Sequence, residues 1–293
     1  MSVIIKAAIF IIIFFFISHA QVFPMDWRSL HEMADSLTLE EAVKRYESDP
    51  SAENIYILGL CNLTNHRNKE AMKNFVRLSE LKPGSVESEW GIAEVLRRGH
   101  DLAKSKIILY KIIKENPDFA PAYLTLAYVE YLNRNFEETV KLAFKVVKMG
   151  RADIDVSSYA RAYLLVAAGK GMIAHFGGPI SKAINGTAVM SNIKKAQSLQ
   201  PDSAGLMFSL GSYYLLAPAL AGKDIDEAEK YLKMAIERDR FLADAYVRLA
   251  QVYKIKRKVD LYNSFLNKAL EIDPGNELAK DIKSLKCNFI CPD

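Results

Sequence analysis

The chain has 293 residues, half of them hydrophobic and a quarter charged, the make-up of an ordinary globular protein with enough apolar residues for a sizeable core. Its 39 basic and 35 acidic residues leave a formal charge of +4, and without the first 20 residues, which carry Lys6 and no acid, the balance is 38 − 35 = +3. A balance that close to neutral gives no reason to expect nucleic acid as a partner.

Residues 1–20 differ from everything after them. Lys6 supplies a short positive start, Ala7 to Ile17 is an unbroken apolar run of eleven, and Ser18-His19-Ala20 offers the small residues that a signal peptidase reads before Gln21. A spanning helix needs about 20 apolar residues, so the run reads as a cleaved signal peptide and the chain as secreted or periplasmic, with no membrane span afterwards. The alternative is a tether to the inner membrane by an uncleaved N-terminal helix, because Val3 to Ile5 lengthen the run past Lys6. No Cys lies near Ala20 to carry a lipid. Residues 21–51 read as N-terminal capping helices.

From residue 52 the sequence repeats itself. Gly59, Ala93 and Ala127 stand 34 apart, as do Pro83 and Pro117; Ala250 precedes Pro274 by the same 24 residues that separate Gly59 from Pro83. Small residues at such points let helices approach, large ones between them fill the space, and the prolines end each second helix. Four registers share this pattern: 52–85, 86–119, 120–153 and 243–276. Two more, 160–203 and 204–242, carry ten and five extra residues. In both the surplus is expected between the two helices, at His175 to Gly186 and Ala217 to Asp224, as two neighbouring loops broken by Gly and Pro. Residues 277–293 read as a polar C-terminal capping helix and tail.

A period of 34 with Ile55, Leu58, Gly59, Ala71, Phe75, Leu78 and Pro83 in one register, and Tyr246, Leu249, Ala250, Tyr253, Leu266, Ala269 and Pro274 in another, resembles the tetratricopeptide repeat family. The resemblance implies an all-α fold, a right-handed superhelix (solenoid) of helix pairs with about six repeats and capping helices. A narrower stretch, Gly211-Ser-Tyr-Tyr214 with Pro218 and Gly222-Lys-Asp224, is similar to the T-component of TRAP transporters, which implies a periplasmic solute-handling role as the alternative.

Chemistry is sought and not found. The four histidines after the first 20 residues are scattered, none beside a Cys, Asp or Glu at metal-ligand spacing, and they read as surface residues. There is no phosphate-binding loop of the Walker kind and no nucleophile elbow. Neither catalysis nor a cofactor is expected. Lys254 to Lys258 is a basic run at a helix C-terminus, where cations are favourable. Of the three cysteines, Cys61 reads as a small buried hydrophobe, while Cys287 and Cys291, four apart, are expected to pair in an oxidising compartment.

In the family it resembles, the first helix of each repeat lines a concave face. Carried onto this chain, that places Tyr56, Leu60, Trp90, Arg98, Leu124, Tyr128, Tyr131 and Phe208 in a partner groove suited to a protein or peptide. A subset of the family grips C-terminal carboxylates, but here only Arg98 matches, with Glu87 and Gly91 at the other two positions. The apolar leader, the repeat and the lack of catalytic groups together point to a non-catalytic protein-binding or scaffold protein of the bacterial envelope.

Overall fold

A computed structural model describes residues 25–289. Four repeats have one design. Their helices are α3 (Ala52–Thr64) with α4 (Asn68–Leu81), α5 (Val86–Arg98) with α6 (Leu102–Glu115), α7 (Ala120–Leu132) with α8 (Phe136–Met149), and α13 (Ala243–Ile255) with α14 (Val259–Ile272); each first helix has 13 residues and each second helix 14. The turn between them is closed the same way every time. His66, His100, Arg134 and Arg257 adopt left-handed backbone with φ of 56°, 64°, 63° and 57°. The N–H that follows each of them reaches back to the carbonyl five residues earlier, Arg67 to Asn62, Asp101 to Leu96, Asn135 to Glu130 and Lys258 to Tyr253, at 2.8–2.9 Å. This is the Schellman closure, which glycine usually makes; four non-glycine residues make it here.

Small residues set the helix spacing. The ring of Phe75 lies so close to two glycines that a Cβ on Gly59 would meet it at 2.6 Å and one on Gly91 at 2.3 Å. Both Phe75 and the small residues Ala93, Ala127 and Ala250 are fully buried. Such close approach lets each second helix nest between two first helices, and the apolar interior runs unbroken from α3 to α9.

Ahead of the repeats stand α1 (Trp27–Ser36) and α2 (Leu39–Ser48), the latter opened by a capping box between Thr38 and Glu41. After the third repeat come α9 (Val156–Phe176) and α10 (Pro179–Leu199), each of 21 residues and joined only by Gly177 and Gly178. The extra length expected as a loop at residues 175–186 is instead helix. Pro179 sits at the first turn of α10, where a missing N–H costs nothing, and Gly186 continues the helix through its interior. Then follow α11 (Ala204–Leu216) and α12 (Ile225–Arg238), with an irregular connection at 217–224 that contains a short 3₁₀ turn and Gly222 at φ +100°. The last helix is α15 (Glu277–Lys283); it buries Leu278, Ala279, Asp281 and Ile282 and so is polar on one side only. Among the described residues the fifteen α-helices are accompanied by no strand, and none is long and apolar enough to cross a membrane.

The solenoid closes on itself. The three left-handed residues of the first three repeats each meet a different part of the C-terminal end. His66 Nε2 lies 2.9 Å from Asp239 at the end of α12, and its ring lies 5.4 Å from that of Phe241. His100 reaches Asp273 and Glu277 on either side of the α14–α15 connection, at 2.8 and 2.6 Å. Arg134 donates to Asn288 of the tail at 2.7 Å. The lengthened α9 fills the step this creates, since Met172 and Ile173 join Phe136, Tyr246 and Val247 in one apolar cluster.

Candidate binding groove

The concave face of the first repeats is built from α3, α5 and α7, and the chain itself occupies much of it. Helix α1 lies across it: Trp27 meets Phe119 edge-on at 5.4 Å, and His31 Nε2 is 2.8 Å from the Tyr56 hydroxyl. Tyr56 is fully buried, and Trp90 is 4% exposed. His31, 12% exposed, is held neutral because burial pulls its pKa down to about 4, outweighing the opposite pull of Asp155. The position of the first helix, not the repeat pattern, therefore decides how much groove is open.

Beneath α1 runs a polar chain. The Trp90 indole donates to the Thr125 hydroxyl at 3.0 Å, and Thr125 donates to Glu94 at 3.1 Å. Glu94 also accepts from Arg97 at 2.6 and 2.9 Å and from Arg98 at 2.8 Å, while Arg98 donates to the Leu63 carbonyl at 2.7 Å. Burial alone would raise the Glu94 carboxyl, but the two guanidiniums hold it well below the usual carboxylate range. Arg97 then stacks over the Tyr128 ring at 4.6 Å. Tyr128 donates to Asp244 at 3.2 Å, and Asp244 accepts from Asn276 at 2.7 Å. The network thus runs from the second repeat to the last one and to the cap of α15.

The eight residues expected in the groove fall into three places. Leu60, Trp90, Arg98 and Leu124 come together around one recess, with Tyr56 behind them through His31. Tyr128 and Tyr131 belong to the closing seam; the Tyr131 ring is 5.8 Å from that of Phe289, whose carbonyl accepts from Arg248 at 2.9 Å. Phe208 lies apart from both, packed with Met234, Ile236 and Leu242. Cys287 is described, whereas Cys291 lies outside the described residues. Three of the histidines read from sequence as scattered surface groups are in fact joined to this architecture: His31 is on the inner face of α1 against Tyr56, and His66 and His100 sit in the seam. Their signal was present in the sequence as the shared 34-residue spacing of His66, His100 and Arg134 at the turn.

The recess is about 70 Å³ and lies between α1, α3, α5, α7 and α9. Leu60, Leu63, Trp90 and Leu124 form its apolar wall; His31, Asp35, Arg98, Ser157 and Arg161 form its polar side. Burial raises the Asp35 carboxyl, and the Ser157 hydroxyl donates to it. Arg161 is exposed and makes no ion pair among the described residues. Among those residues no group of His, Cys, Asp or Glu is placed to hold a metal ion.

No family model matches the chain, and no curated protein matches it. Solved structures do. A tetratricopeptide repeat protein from Parabacteroides merdae ATCC 43184 is 12% identical with a TM-score of 0.52, the match covering 88% of this chain and 98% of that one. The APC/C hetero-tetramer Cut9–Hcn1 is 19% identical with a TM-score of 0.54, over 87% of this chain and 47% of its own. The fold is that of a tetratricopeptide repeat solenoid. PilW, a type IV pilus biogenesis factor, is similar at 14% identity over 79% of this chain and 98% of its own, with a TM-score of 0.48. At such identities the likeness speaks for the tetratricopeptide fold alone. This solenoid has a long fourth repeat and a seam joining its first repeats to its C-terminal end.

Proposed function

We propose that this tetratricopeptide solenoid is a non-catalytic protein-binding scaffold that takes an anchor side chain or chain end of its partner into the recess between α1, α3, α5, α7 and α9. The observation that supports this reading is the recess itself, a concave site in which an apolar wall faces the unpaired charge of Arg161. Its volume of about 70 Å³ suits one side chain. It falls short of the roughly 300–1,000 Å³ of sites that enclose a drug-sized ligand, and no observation favours the solute-handling alternative. A partner therefore lies across the mouth of the recess instead of running the length of a groove that α1 already fills.

Substitution of Tyr128 or Tyr131 disturbs the seam, so those residues do not test the site. Thr64 and Arg161, both exposed at the mouth, do. Wild-type protein used as bait in an envelope extract is expected to recover a defined partner, and Arg161→Glu and Thr64→Trp are expected to lose it with unchanged thermal melting. Retention of the partner by both variants sinks the assignment. Export to the periplasm or outside the cell is part of the same proposal and rests on the pattern of residues 1–20. N-terminal sequencing of the protein from its host is expected to start at Gln21; a start at Met1 overturns cleavage.

A further inference from the structure

The near-neutral total charge conceals an uneven spread. Between Val156 and Lys223 stands one acid, Asp202, against six basic residues: Arg161, Lys170, Lys182, Lys194, Lys195 and Lys223. That lone acid is neutralised by Arg238 at 3.2 Å. The whole chain carries 35 acids in 293 residues, so a stretch of this length with only one is a local exclusion of negative charge.

The same stretch exposes several large apolar side chains. Ile180 and Ile184, one helical turn apart at the start of α10, are 77% and 63% exposed. Leu220, at the tip of the 217–224 connection, is fully exposed. Both tips are first-to-second-helix turns of neighbouring repeats, and α9 and α10 both pack on α11, so the stacking brings them to one edge of the solenoid. Lys182 is between the two isoleucines in sequence but on the other face of α10, and Lys223 is three residues beyond Leu220; both are exposed, and neither pairs with an acid among the described residues.

We propose that this edge, the tip of the α9–α10 hairpin with the adjoining 217–224 turn, is a docking surface for an anionic lipid membrane. Ile180, Ile184 and Leu220 enter the boundary between headgroups and acyl chains, and Lys182 and Lys223 lie against the lipid phosphates. A fluid bilayer fits better than a protein partner because the exposed aliphatic side chains stand at helix-hairpin turns, one of them the turn of two 21-residue helices beside neighbours of 13 and 14. Protein anchors are received in complementary pockets; a bilayer receives a convex wedge without one. At the edge itself Lys170, Lys182 and Lys223 stand against one acid, Asp224, whose carboxylate caps α12 through the N–H groups of Asp226 and Glu227, and that net positive balance suits an anionic surface. The proposal is independent of the recess and of any partner held there.

The test uses the full chain with vesicles of phosphatidylcholine alone or mixed with phosphatidylglycerol. Residues 7–17 are themselves apolar, so the readout must be local. In Ile184→Trp, the emission in excess of that from Trp27 and Trp90 is expected to shift to the blue with anionic vesicles only, and to return in high salt. The double variant Ile180→Glu, Ile184→Glu is expected to weaken anionic-vesicle sedimentation about tenfold or more, and Lys182→Glu with Lys223→Glu to remove the dependence on phosphatidylglycerol. Both pairs are exposed, so the fold should melt as wild type does. An unshifted Ile184→Trp spectrum, or sedimentation of the double glutamate variant equal to wild type, overturns the proposal. Salt-sensitive capture of polyglutamate, lost on substituting the two lysines, with no spectral shift on vesicles, overturns it in favour of an acidic protein.

Discussion

Single residues explain the tight spacing of this solenoid. Phe75 is held between Gly59 and Gly91, and a methyl group at Gly91 would lie 2.3 Å from ring carbons that are themselves fully buried. The ring has little room to move, because Tyr56 and Trp90 of the same two helices also pack around it. Gly91→Ala should therefore cost roughly 1–3 kcal/mol, the usual range for overpacking, despite the better helix propensity of alanine. Urea unfolding measures it; an unchanged midpoint would show that the second repeat can shift away from Phe75. At the turns, the left-handed residues divide by what their side chains do. His66, His100 and Arg134 use the position to reach the C-terminal end, whereas the exposed Arg257 makes no such contact in the structure. A non-glycine side chain in that conformation is sustained in three of the four repeats by the seam.

Helices and their pairing were legible from the 34-residue period because it sets close packing within and between repeats, as Gly59, Ala93, Ala127 and Ala250 show. The lengthened fourth repeat was misjudged for an equally physical reason. Gly177-Gly178-Pro179 and Gly186 read as loop residues, yet a proline at the first position of a helix is tolerated, and one interior glycine costs only about 1 kcal/mol against alanine. Packing of the extended α9 on α11 and α13, through Met172 and Ile173, is a tertiary gain that no local pattern displays. The site was half legible: Leu60, Trp90, Arg98 and Leu124 do meet, but the helix that roofs them, α1, lies outside the period. The interior position of Gly186 carries its own prediction. Nothing stands within 4 Å of where its Cβ would be, and its backbone is helical. Gly186→Ala is expected to stabilise the protein by about 0.5–1 kcal/mol, read as a rise in melting temperature. A fall would mean that α10 is not continuous through this point.

For the molecule as a whole the question is what keeps the two ends together. The seam joins repeats about 170 positions apart through small polar contacts, His66 to Asp239 and His100 to Asp273, each spanning 173 residues. His100 is the member whose charge matters most. Burial works against its protonation, but hydrogen bonds and the charges of Glu277 and Asp273 outweigh it and raise its pKa. A group raised on folding contributes stability that is complete below its unfolded value of 6.5 and is lost as pH climbs through the higher folded value. The seam should accordingly loosen as pH rises through that folded value. His31 acts in the opposite sense, because its pKa is lowered on folding to about 4; what it contributes is present above 6.5 and fades as the solution is acidified. Total stability therefore mixes two histidines of opposite slope, and only a difference isolates the seam. The melting temperature of wild type minus that of His100→Gln is expected to be positive below pH 6.5 and to shrink towards a small constant as pH rises past the folded pKa. Small-angle scattering over the same range should show the radius of gyration of the wild type approaching that of the variant. A difference independent of pH would mean that the imidazole acts through its packing on Gly275, where a Cβ would meet the ring at 2.1 Å, and not through its charge.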